Sequence, residues 1–294
     1  MTPYLRQLSL DLAPLEVSPS SDWCQRWRDG RPRWRHRSEG GFDATQYEVG
    51  PITDRTAKAY VERHHYARTY VASRLRYGLW DRRGALLGVA VLSVPVRGEV
   101  LTRPFPHLVP FHESLELGRL VLADRVAANG ESWFLGRVFR LAGREGVRGV
   151  VSFSDPVARH NTAGGLVFPG HVGIVYQSAN ATYAGRGTAR TILVLPDGRT
   201  LNERALSKLR TLDVGHEYVE HVLRRFGAPP RRGAAPSAWI PRALVAAGVR
   251  RLRHPGNHRY LFRLGDRASR RGVVISVPSL PYPKSTDRSP TQAA

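Results

Sequence analysis

The segment ALLGVAVLSVP, residues 85–95, constrains the fold most, because it is apolar at almost every position. A strand with one face in water alternates apolar and polar residues, whereas a strand covered on both faces is apolar throughout. The preceding segment RLRYGLW (74–80) and the turn DRRG make this strand the second arm of a β-hairpin. The hairpin therefore predicts a sheet that is covered by other structure on both faces.

Helices and strands alternate on either side of this hairpin. Residues 53–67 have apolar residues at helical spacing, and Thr53 is a suitable N-cap. Residues 114–124 and 147–155 have the character of strands, and the amphipathic segment 131–146 between them predicts a helix. This order predicts an α+β (α/β) fold with a mixed central sheet flanked by helices. Further strands are predicted at 188–198 and 258–266, and further helices at 203–210 and 215–227.

The charge of the chain indicates a polyanionic partner. The 294 residues include 45 Lys and Arg against 24 Asp and Glu, which gives a formal net charge of +21, and only three of the basic residues are lysines. A GC-rich genome explains the preference for arginine over lysine, but it does not explain the net charge. Charge of this sign and size favours nucleic acid over a membrane surface as the partner.

The two ends of the chain differ in composition from its centre. Residues 1–45 are predicted to be an irregular basic extension, in which the stretch 22–37 interleaves tryptophans with arginines. Such residues can bind phosphates and stack on bases, or they can pack on the rest of the protein, and the sequence leaves both interpretations open. Residues 276–294 are rich in Pro and Ser and are predicted to be a disordered tail. Residues 46–275 then form one domain with a basic C-terminal elaboration.

Cysteine content and hydropathy limit where the protein works. The single cysteine, Cys24, excludes an intramolecular disulfide framework and a cysteine-based zinc site. No run of about 18 apolar residues is present, and the first residues lack the basic and apolar blocks of a signal peptide. We therefore expect a cytoplasmic protein with no membrane partner, in an oligomeric state that the sequence does not indicate.

The turn RVAANG, residues 125–130, lies between a predicted buried strand and a helix N-terminus. Backbone N–H groups at such a junction favour an anion, and Asn129 and Gly130 tolerate the positive φ that this geometry requires. Most strand–helix turns contain these residues simply to reverse the chain. The turn is therefore a candidate phosphate site that needs further support.

The stretch GHVGIVYQSANATYAG, residues 170–185, combines many hydrogen-bonding side chains with small apolar ones. If 172–180 is a helix, one face carries polar residues and the other faces the core. The stretch follows the strand that bears Ser152, Ser154 and Asp155, and ligands of α/β sheets bind beyond the carboxyl ends of strands. The predicted polar face consists of Gly173, Tyr176, Gln177 and Asn180, and the predicted core face of Val172, Val175 and Ala179.

Purely structural roles remain possible for these residues. Asp155 can cap the next turn, and Tyr176 can hydrogen-bond inside the core. Adjacent histidines on a helix point about 100° apart, so a metal is not expected from the sequence, although two histidines and a carboxylate can still meet in space. The residues weighed for such a metal site are His64, His65, His160, His171 and Asp155.

The order of elements resembles that of the GCN5-related N-acetyltransferases, which hold the pyrophosphate of acetyl-CoA on a Gln/Arg-x-x-Gly-x-Gly/Ala loop. Arg125, Ala128 and Gly130 occupy the three signature positions here, with Ala128 in place of the first glycine. The resemblance implies acetyl-CoA or a related acyl-CoA as cofactor. It assigns the binding of that cofactor to Arg125, Ala128, Asn129, Gly130 and Ser132.

A closer resemblance links the chain to the Mom family of phage DNA-modification proteins. It rests on SFSDP followed by GHVGIVYQSANATYAG, on RHHYA (63–67) and LELGRLVL (115–122), and on DGRTLNERAL and HRYLFRLGD further along, and it covers roughly 50–284. The resemblance implies a transferase that converts adenine N6 in double-stranded DNA to a methylcarbamoyl- or acetamido-type derivative. The product protects phage DNA from host restriction.

The resemblance also implies roles for individual residues. Asp155 is the base or the carboxylate that orients N6, and Tyr176 is the acid that protonates the leaving group. Glu116 is a second possible base, whose alternative role is a buried ion pair with Arg119. Around the adenine, the pocket is assigned to Ser154, His171, Tyr183, Asn180 and Gln177, and the acceptor side to His65 and Tyr66.

Two rival functions remain open from the sequence. One is an N-acetyltransferase that acts on an amine of a hypermodified pyrimidine in DNA. The other is a basic DNA-binding protein without catalysis. Exposed arginines would carry DNA binding in each case, and the candidate clusters are Arg231, Arg232, Arg250, Arg251 and Arg253.

Overall fold

The computed structural model describes residues 23–201 and 203–283. The strands are β1 (Trp23–Arg28), β2 (Arg31–His36), β3 (Tyr47–Pro51), β4 (Ser73–Asp81), β5 (Leu86–Ser93), β6 (Ser114–Leu122), β7 (Gly149–Ser154), β8 (Arg159–His160), β9 (Leu166–Phe168), β10 (Thr182–Arg186), β11 (Arg190–Val194), β12 (Thr200–Leu201), β13 (Arg250–His254) and β14 (His258–Arg263). The helices are α1 (Asp54–His64), α2 (Glu99–Thr102), α3 (Gly130–Arg144), α4 (Ile174–Ser178), α5 (Glu203–Thr211), α6 (Glu217–Arg225), α7 (Pro236–Ala246) and α8 (Arg267–Arg271).

A mixed seven-stranded sheet forms the centre of the fold, in the order β10-β14-β7-β6-β5-β4-β3. Only β6 and β7 run parallel, joined by the crossover helix α3. Strand β5 is buried along almost its whole length, as its apolar sequence predicts. Helix α3 covers one face of the sheet with Phe134 and Val138, and α1 covers the other with Ala57 and Val61. The predicted mixed sheet flanked by helices is confirmed.

The parallel strands β6 and β7 separate towards their carboxyl ends. Their pairing runs from Ser114 opposite Gly149 to Leu117 opposite Ser152, although β6 continues to Leu122. Beyond this pairing the two strands leave a gap in the middle of the sheet, which we call the β6–β7 gap. Parallel sheets bind ligands at such positions, beyond the carboxyl ends of strands.

A bulge in β6 lies at the start of this gap. Leu117 pairs with Leu92 and Arg119 pairs with Val91, so that Gly118 has no partner residue of its own on β5. A side chain at position 118 would overlap with the Ser93 hydroxyl. Bulges near a functional site re-aim the neighbouring side chains, and glycine is the residue that fits this one.

Substitution of Gly118 by Ala is expected to lower the free energy of unfolding by about 1–3 kcal/mol, because the added methyl group must displace Ser93. Gly136, in the middle of α3, is the matched control, since a side chain there meets nothing within 4 Å. Gly136→Ala should stabilise the helix by up to about 1 kcal/mol. Chemical denaturation of both variants measures the difference, and equal effects would contradict this account of the bulge.

Residues 187–257 form an insertion between β10 and β14, which are neighbours in the sheet. The insertion has a three-stranded sheet in the order β12-β11-β13 and its own core, in which Leu209, Leu223 and Trp239 are buried. Helices α5 and α6 confirm the sequence-based prediction. Helix α7 was not predicted because it contains Pro236 and Pro241, of which the first occupies the N-terminal turn where proline is tolerated.

Part of the N-terminal extension is regular, contrary to the prediction. Strands β1 and β2 pair in antiparallel register from Trp23 opposite His36 to Arg28 opposite Arg31. Asp29 and Gly30 both have positive φ, as a tight hairpin turn requires, so the Asp-Gly pair was the signal that could have revealed this hairpin. Residues 1–22 lie outside the described residues.

The predicted disorder of 276–294 is wrong for residues 276–283. The Leu280 amide donates to the Tyr183 carbonyl of edge strand β10 at 2.9 Å, and the Tyr282 hydroxyl donates to the Ala181 carbonyl at 2.6 Å. An edge strand has unpaired backbone groups that bind an extended segment, so that the Pro-rich composition does not prevent order here. Residues 284–294 lie outside the described residues.

Candidate active site

Asp155 follows β7 directly and is the most heavily hydrogen-bonded carboxylate beside the β6–β7 gap. One carboxylate oxygen accepts hydrogen bonds from the Val157 amide at 3.0 Å and from His254 Nε2 at 2.9 Å. The other oxygen accepts from the guanidinium of Arg159 at 2.5 Å. Burial raises the pKa of Asp155, but the bond from His254 and the Arg159 guanidinium outweigh it and hold the pKa well below its usual range. A carboxylate in this state is a weak base, and the geometry favours an orienting role.

An aromatic cluster covers the same end of the sheet on the side of α1. Tyr66 follows α1 and stacks on Phe168 with ring centroids 4.3 Å apart. The ring centroid of Trp27 on β1 lies 5.0 Å from that of Tyr66. The Arg159 guanidinium lies over the Phe168 ring at 4.2 Å. Burial raises the pKa of Tyr66 to about 12, so that the phenol is protonated at neutral pH. This cluster offers flat apolar surfaces together with a cation.

Two histidines beside the cluster are neutral at physiological pH. Burial lowers the pKa of His171 to about 4, although the Asp155 carboxylate opposes this shift. Burial and the nearby Arg119 hold the pKa of His65 well below its usual range, and its Nδ1 accepts a hydrogen bond from the Ala67 amide at 3.1 Å. The structure thus brings His65, Tyr66, His171 and Asp155 to one end of the sheet.

Glu116 lies on β6 just before the bulge, and its carboxylate receives no hydrogen bond from residues 23–201 or 203–283. The predicted ion pair with Arg119 is absent from these residues, because that guanidinium donates to Thr69 and to the Gly118 carbonyl. Burial raises the pKa of Glu116, and the charge of Arg119 only partly opposes this. A partly buried carboxylate with free oxygens and a raised pKa has the properties of a general base.

Tyr176 faces the core instead of forming the exposed polar face predicted for 172–180. Its ring centroid lies 5.4 Å from that of Tyr260 and 6.1 Å from that of Phe262, and only 6% of the residue's surface is exposed. The predicted faces were wrong because α4 has only five residues and follows Gly173 in a left-handed conformation. Burial raises the pKa of Tyr176, partly opposed by the Ser152 hydroxyl.

Two other predicted residues stabilise the core around Tyr176. The Gln177 amide donates to the Val172 carbonyl at 3.2 Å and to the Tyr260 hydroxyl at 3.1 Å. The Tyr183 hydroxyl lies 2.8 Å from Nδ1 of His258. These contacts place Gln177 and Tyr183 behind the site and not among its walls.

Ser152 and Ser154 line the core side of β7. Both hydroxyls are buried, and that of Ser154 has no hydrogen-bond partner in the described part of the chain, whereas that of Ser152 faces the Tyr176 hydroxyl. Buried hydroxyls are normally satisfied, so an unsatisfied one beside a gap marks a place for an additional polar group. A side chain at Gly173 would approach within 3.0 Å of the Ser154 hydroxyl, which leaves glycine as the residue that fits there.

A cleft of about 540 Å³ lies between α3 and α4. Asn129 has a left-handed conformation with φ of 69°, as the sequence predicts for this turn, and Gly130 begins α3. Ala128 is buried, so its methyl group points inward and does not obstruct the turn. The guanidinium of Arg125 is exposed beside Asp81. The cleft is lined by Phe42, Asn129, Ser132, Trp133, Gly136, Phe139, Ser178, Ala179 and Asn180.

The cleft fits a phosphate-containing cofactor. The amides of Ala127, Ala128 and Asn129 donate no hydrogen bond to other residues in the described ranges, so they are available to an anion beside the N-terminus of α3. Asn180, predicted near the acceptor, instead faces this cleft from the other side. The predicted cofactor residues Asn129 and Ser132 therefore share one cleft with Asn180.

No group of three or more His, Cys, Asp or Glu side chains that could hold a metal ion occurs within 23–201 and 203–283. Of the histidines weighed for a metal, His64 lies beside Asp29 and His160 is exposed, whereas His65 and His171 lie with Asp155 at one end of the sheet. None of the helices described is long and apolar enough to cross a membrane.

Sequence reasoning missed several residues of this site. His254, Arg159 and Phe168 belong to segments that the predictions did not connect with Asp155. Only Arg159 had a local signal, because it lies four residues after Asp155, whereas His254 is 99 residues away in sequence.

Solved structures of N-acetyltransferases are similar to parts of the chain. A crystal structure of spermidine N-acetyltransferase from Vibrio cholerae in complex with CoA and spermine aligns over 75% of this chain and 96% of that one, with 8% identity and a TM-score of 0.34. The spermidine/spermine N-acetyltransferase SpeG from Vibrio cholerae in complex with manganese ions aligns over 49% and 82%, with 11% identity and a TM-score of 0.31. No curated protein sequence matches the chain significantly.

The strand order, the β6–β7 gap and the turn before α3 define an N-acetyltransferase-like protein, as the sequence predicts. The sequence model of the Mom protein family matches residues 46–284. The chain therefore belongs to the Mom family.

Proposed function

We propose that this protein transfers an acyl- or carbamoyl-type group to N6 of adenine in double-stranded DNA, and that the product protects phage DNA from restriction. The observation that carries the proposal is the position of two half-sites: a donor half-site, which would hold the cofactor, and an acceptor half-site, which would hold the base. The cleft borders α3, which covers one face of the sheet, whereas Tyr66 packs with α1 on the other face. Asp155 follows β7, one of the two strands that bound the β6–β7 gap. Group transfer requires such a juxtaposition of donor and acceptor.

The donor half-site takes an acyl-CoA. The turn from Arg125 to Gly130 would hold the pyrophosphate with its free amides, while Ser132 and Asn180 would contact the rest of the cofactor from the two walls of the cleft. The cofactor supplies the activated group as a thioester. The exposed guanidinium of Arg125 adds a positive charge to the turn before α3.

The acceptor half-site takes a base that has been flipped out of the DNA stack. Flipping costs a few kcal/mol, which stacking on aromatic side chains and hydrogen bonds to the base edge repay. Tyr66 provides aromatic surface and is backed by the buried ring of Phe168, and neutral His65 and His171 provide donors and acceptors for the base edge. Asp155, held by Arg159 and His254, would accept a hydrogen bond from the exocyclic amino group and orient it.

Proton transfer requires a base for N6 and an acid for the leaving thiolate. Glu116 has the free carboxylate and the raised pKa that suit the base, so we assign that role to Glu116 in preference to Asp155. Tyr176 is protonated at neutral pH and lies near Ser152 at the gap, which suits the acid. The Ser154 hydroxyl remains available for a hydrogen bond with the reacting group.

The inserted sheet presents its arginines for contact with DNA phosphates. Arg251 and Arg253 of β13 are exposed, and β13 ends at His254, which binds Asp155. Arg250 donates to the His160 carbonyl at 2.6 Å and so ties the insertion to the segment after Asp155. DNA bound along β13 would therefore lie next to the acceptor half-site.

The double substitution Arg251→Ala, Arg253→Ala is expected to weaken binding of double-stranded DNA and to reduce the salt slope of log affinity by about 2. Each lost phosphate contact removes about one released counterion. Arg83→Ala, in the exposed β4–β5 turn, is the control and should leave both quantities unchanged. Fluorescence anisotropy at several salt concentrations measures both. An unchanged salt slope in the double variant would show that β13 does not contact DNA.

Liquid chromatography–mass spectrometry of nucleosides tests the function. Plasmid DNA from cells that express the chain should contain a new adenine-derived nucleoside, which is absent without expression. A new pyrimidine nucleoside would support the rival N-acetyltransferase for a modified pyrimidine. DNA binding without any new nucleoside, in cells that also contain the phage genome, would support the rival DNA-binding protein without catalysis.

A further inference from the structure

The side chain of Arg26 is the most unusual buried group of the molecule, because it carries a charge and is fully buried. It lies on β1, outside the region that the family model matches. Burial lowers the pKa of Arg26 to about 10, which leaves the guanidinium charged at neutral pH. Burial of a charge costs free energy unless its partners compensate it, so the contacts of Arg26 indicate what this charge does.

Three bonds of Arg26 are made with the turn before α3 and the first turn of that helix. Nε donates to the Val126 carbonyl at 3.2 Å, and one terminal nitrogen donates to the Ala127 carbonyl at 2.8 Å. The other terminal nitrogen forms an ion pair with Glu131. A planar guanidinium can make these bonds at once with fixed directions, which a lysine ammonium cannot.

These bonds have two consequences for the proposed donor half-site. In a trans peptide the carbonyl of one residue and the N–H of the next point in opposite directions. The carbonyls of Val126 and Ala127 point to Arg26, so the amides of Ala127 and Ala128 point away from it and remain free. The ion pair also neutralises Glu131, whose negative charge at the N-terminus of α3 would otherwise repel an anionic cofactor.

Other residues of the β1–β2 hairpin reinforce this contact. Arg28 forms an ion pair of 2.6 Å with Asp124, and Arg35 donates to the Asp124 carbonyl at 3.2 Å. Because successive side chains of a strand point to opposite faces, Trp27 lies on the other face of β1 from Arg26, where it packs against Tyr66 and Phe168. The hairpin therefore contacts both half-sites.

We propose that Arg26 is a positioning residue that holds the turn before α3 in its anion-binding conformation, and that the β1–β2 hairpin is thereby part of the donor site. This inference rests on the proposed acyl-CoA-dependent function. It assigns a role to one residue of the Trp- and Arg-rich stretch 22–37 and favours packing on the domain over direct DNA contact for Arg26.

Calorimetric titration of the full chain with acetyl-CoA tests the proposal. Arg26→Met should raise the dissociation constant about tenfold or more, an effect similar to the roughly 10–100-fold loss of affinity that follows removal of the groups that orient metal ligands. Arg26→Lys should give an intermediate value, because it keeps a cation for Glu131 but loses the two carbonyl bonds. Arg33→Ala removes the same charge from an exposed position of β2 and should leave the dissociation constant unchanged.

S-acetyl-pantetheine, which lacks the pyrophosphate, distinguishes positioning of the turn from general damage. Its affinity should be the same in wild type and Arg26→Met, while the affinity for acetyl-CoA falls. Equal losses for both ligands, or no loss for acetyl-CoA, would overturn the proposal. Thermal melting shows whether Arg26→Met folds. If it does not, the double variant Arg26→Met, Glu131→Gln takes its place in both titrations, because it leaves no unpaired carboxylate.

The failure of this inference can be told apart from failure of the proposed function. Wild-type protein that binds no acetyl-CoA would contradict both. Wild-type protein that binds acetyl-CoA, together with an Arg26→Met variant that is folded and binds it equally well, would contradict only the role of Arg26.

Discussion

Substitution of Glu116 by Gln is expected to lower the rate of adenine modification by about 10²–10⁴-fold, the usual contribution of a general base. The amide keeps the size of the side chain but cannot take a proton from N6. Glutamine also carries no charge to bury, so the fold should be retained and the melting temperature should not fall. Quantitative mass spectrometry of modified adenine in a time course measures the effect.

Glu62→Gln is the matched control for this substitution, because Glu62 is exposed on α1 and should leave the rate unchanged. The pH dependence gives a second test. A base must be deprotonated to act, and burial raises the pKa of Glu116, so the rate should fall with decreasing pH at values above the ordinary titration of a glutamate. Full activity of Glu116→Gln would return the role of base to Asp155.

Substitution of Asp155 by Asn should destabilise the protein by about 3–5 kcal/mol at neutral pH, because it leaves the buried Arg159 without its ion pair and weakens the bond from His254. Loss of this orientation should also lower the rate of modification. Urea denaturation measures the stability of both proteins. Asp213→Asn, which removes the same charge from an exposed position, should have little effect.

The direction of the pH dependence follows from the lowered pKa of Asp155. The folded carboxyl has a lower pKa than the unfolded one, whose value is about 3.9. The stabilisation is therefore complete above the unfolded pKa and is lost as the pH falls through the folded pKa. The gap in stability between wild type and Asp155→Asn should narrow below about pH 4. If the difference in the free energy of unfolding between the two proteins stayed constant down to about pH 2, Asp155 would not act through its charge.

The sequence predicts those parts of the fold whose cause is local. Strand β5 is recognisable because its apolar run needs cover on two faces, and α1 because Thr53 caps it and accepts a hydrogen bond from the Thr56 amide. The β6–α3–β7 unit follows from the same patterns. The resemblance to the Mom family assigns Asp155, Tyr66 and His171 to one site, and the structure brings the three residues to the same end of the sheet. Their roles remain predictions.

The remaining features depend on contacts between distant parts of the chain. Periodicity assigned Tyr176 to a polar face, but the packing against Tyr260 decides its orientation. The composition of residues 276–283 predicts disorder, but the segment is ordered because it binds the free edge of β10. The carboxylate oxygens of Glu116 remain free because the Arg119 guanidinium donates its hydrogen bonds to Thr69 instead. No local pattern contains this information.

The position of β14 determines when during synthesis the protein can become complete. This strand comes after the whole insertion in the chain, yet it pairs between β7 and β10 in the interior of the sheet. Until it has left the ribosome, β7 exposes an unpaired edge, and β10 has no partner on that side. Non-local pairing of this kind is slow and prone to aggregation. A nascent chain that stops before His254 therefore lacks both the complete central sheet and the His254–Asp155 bond.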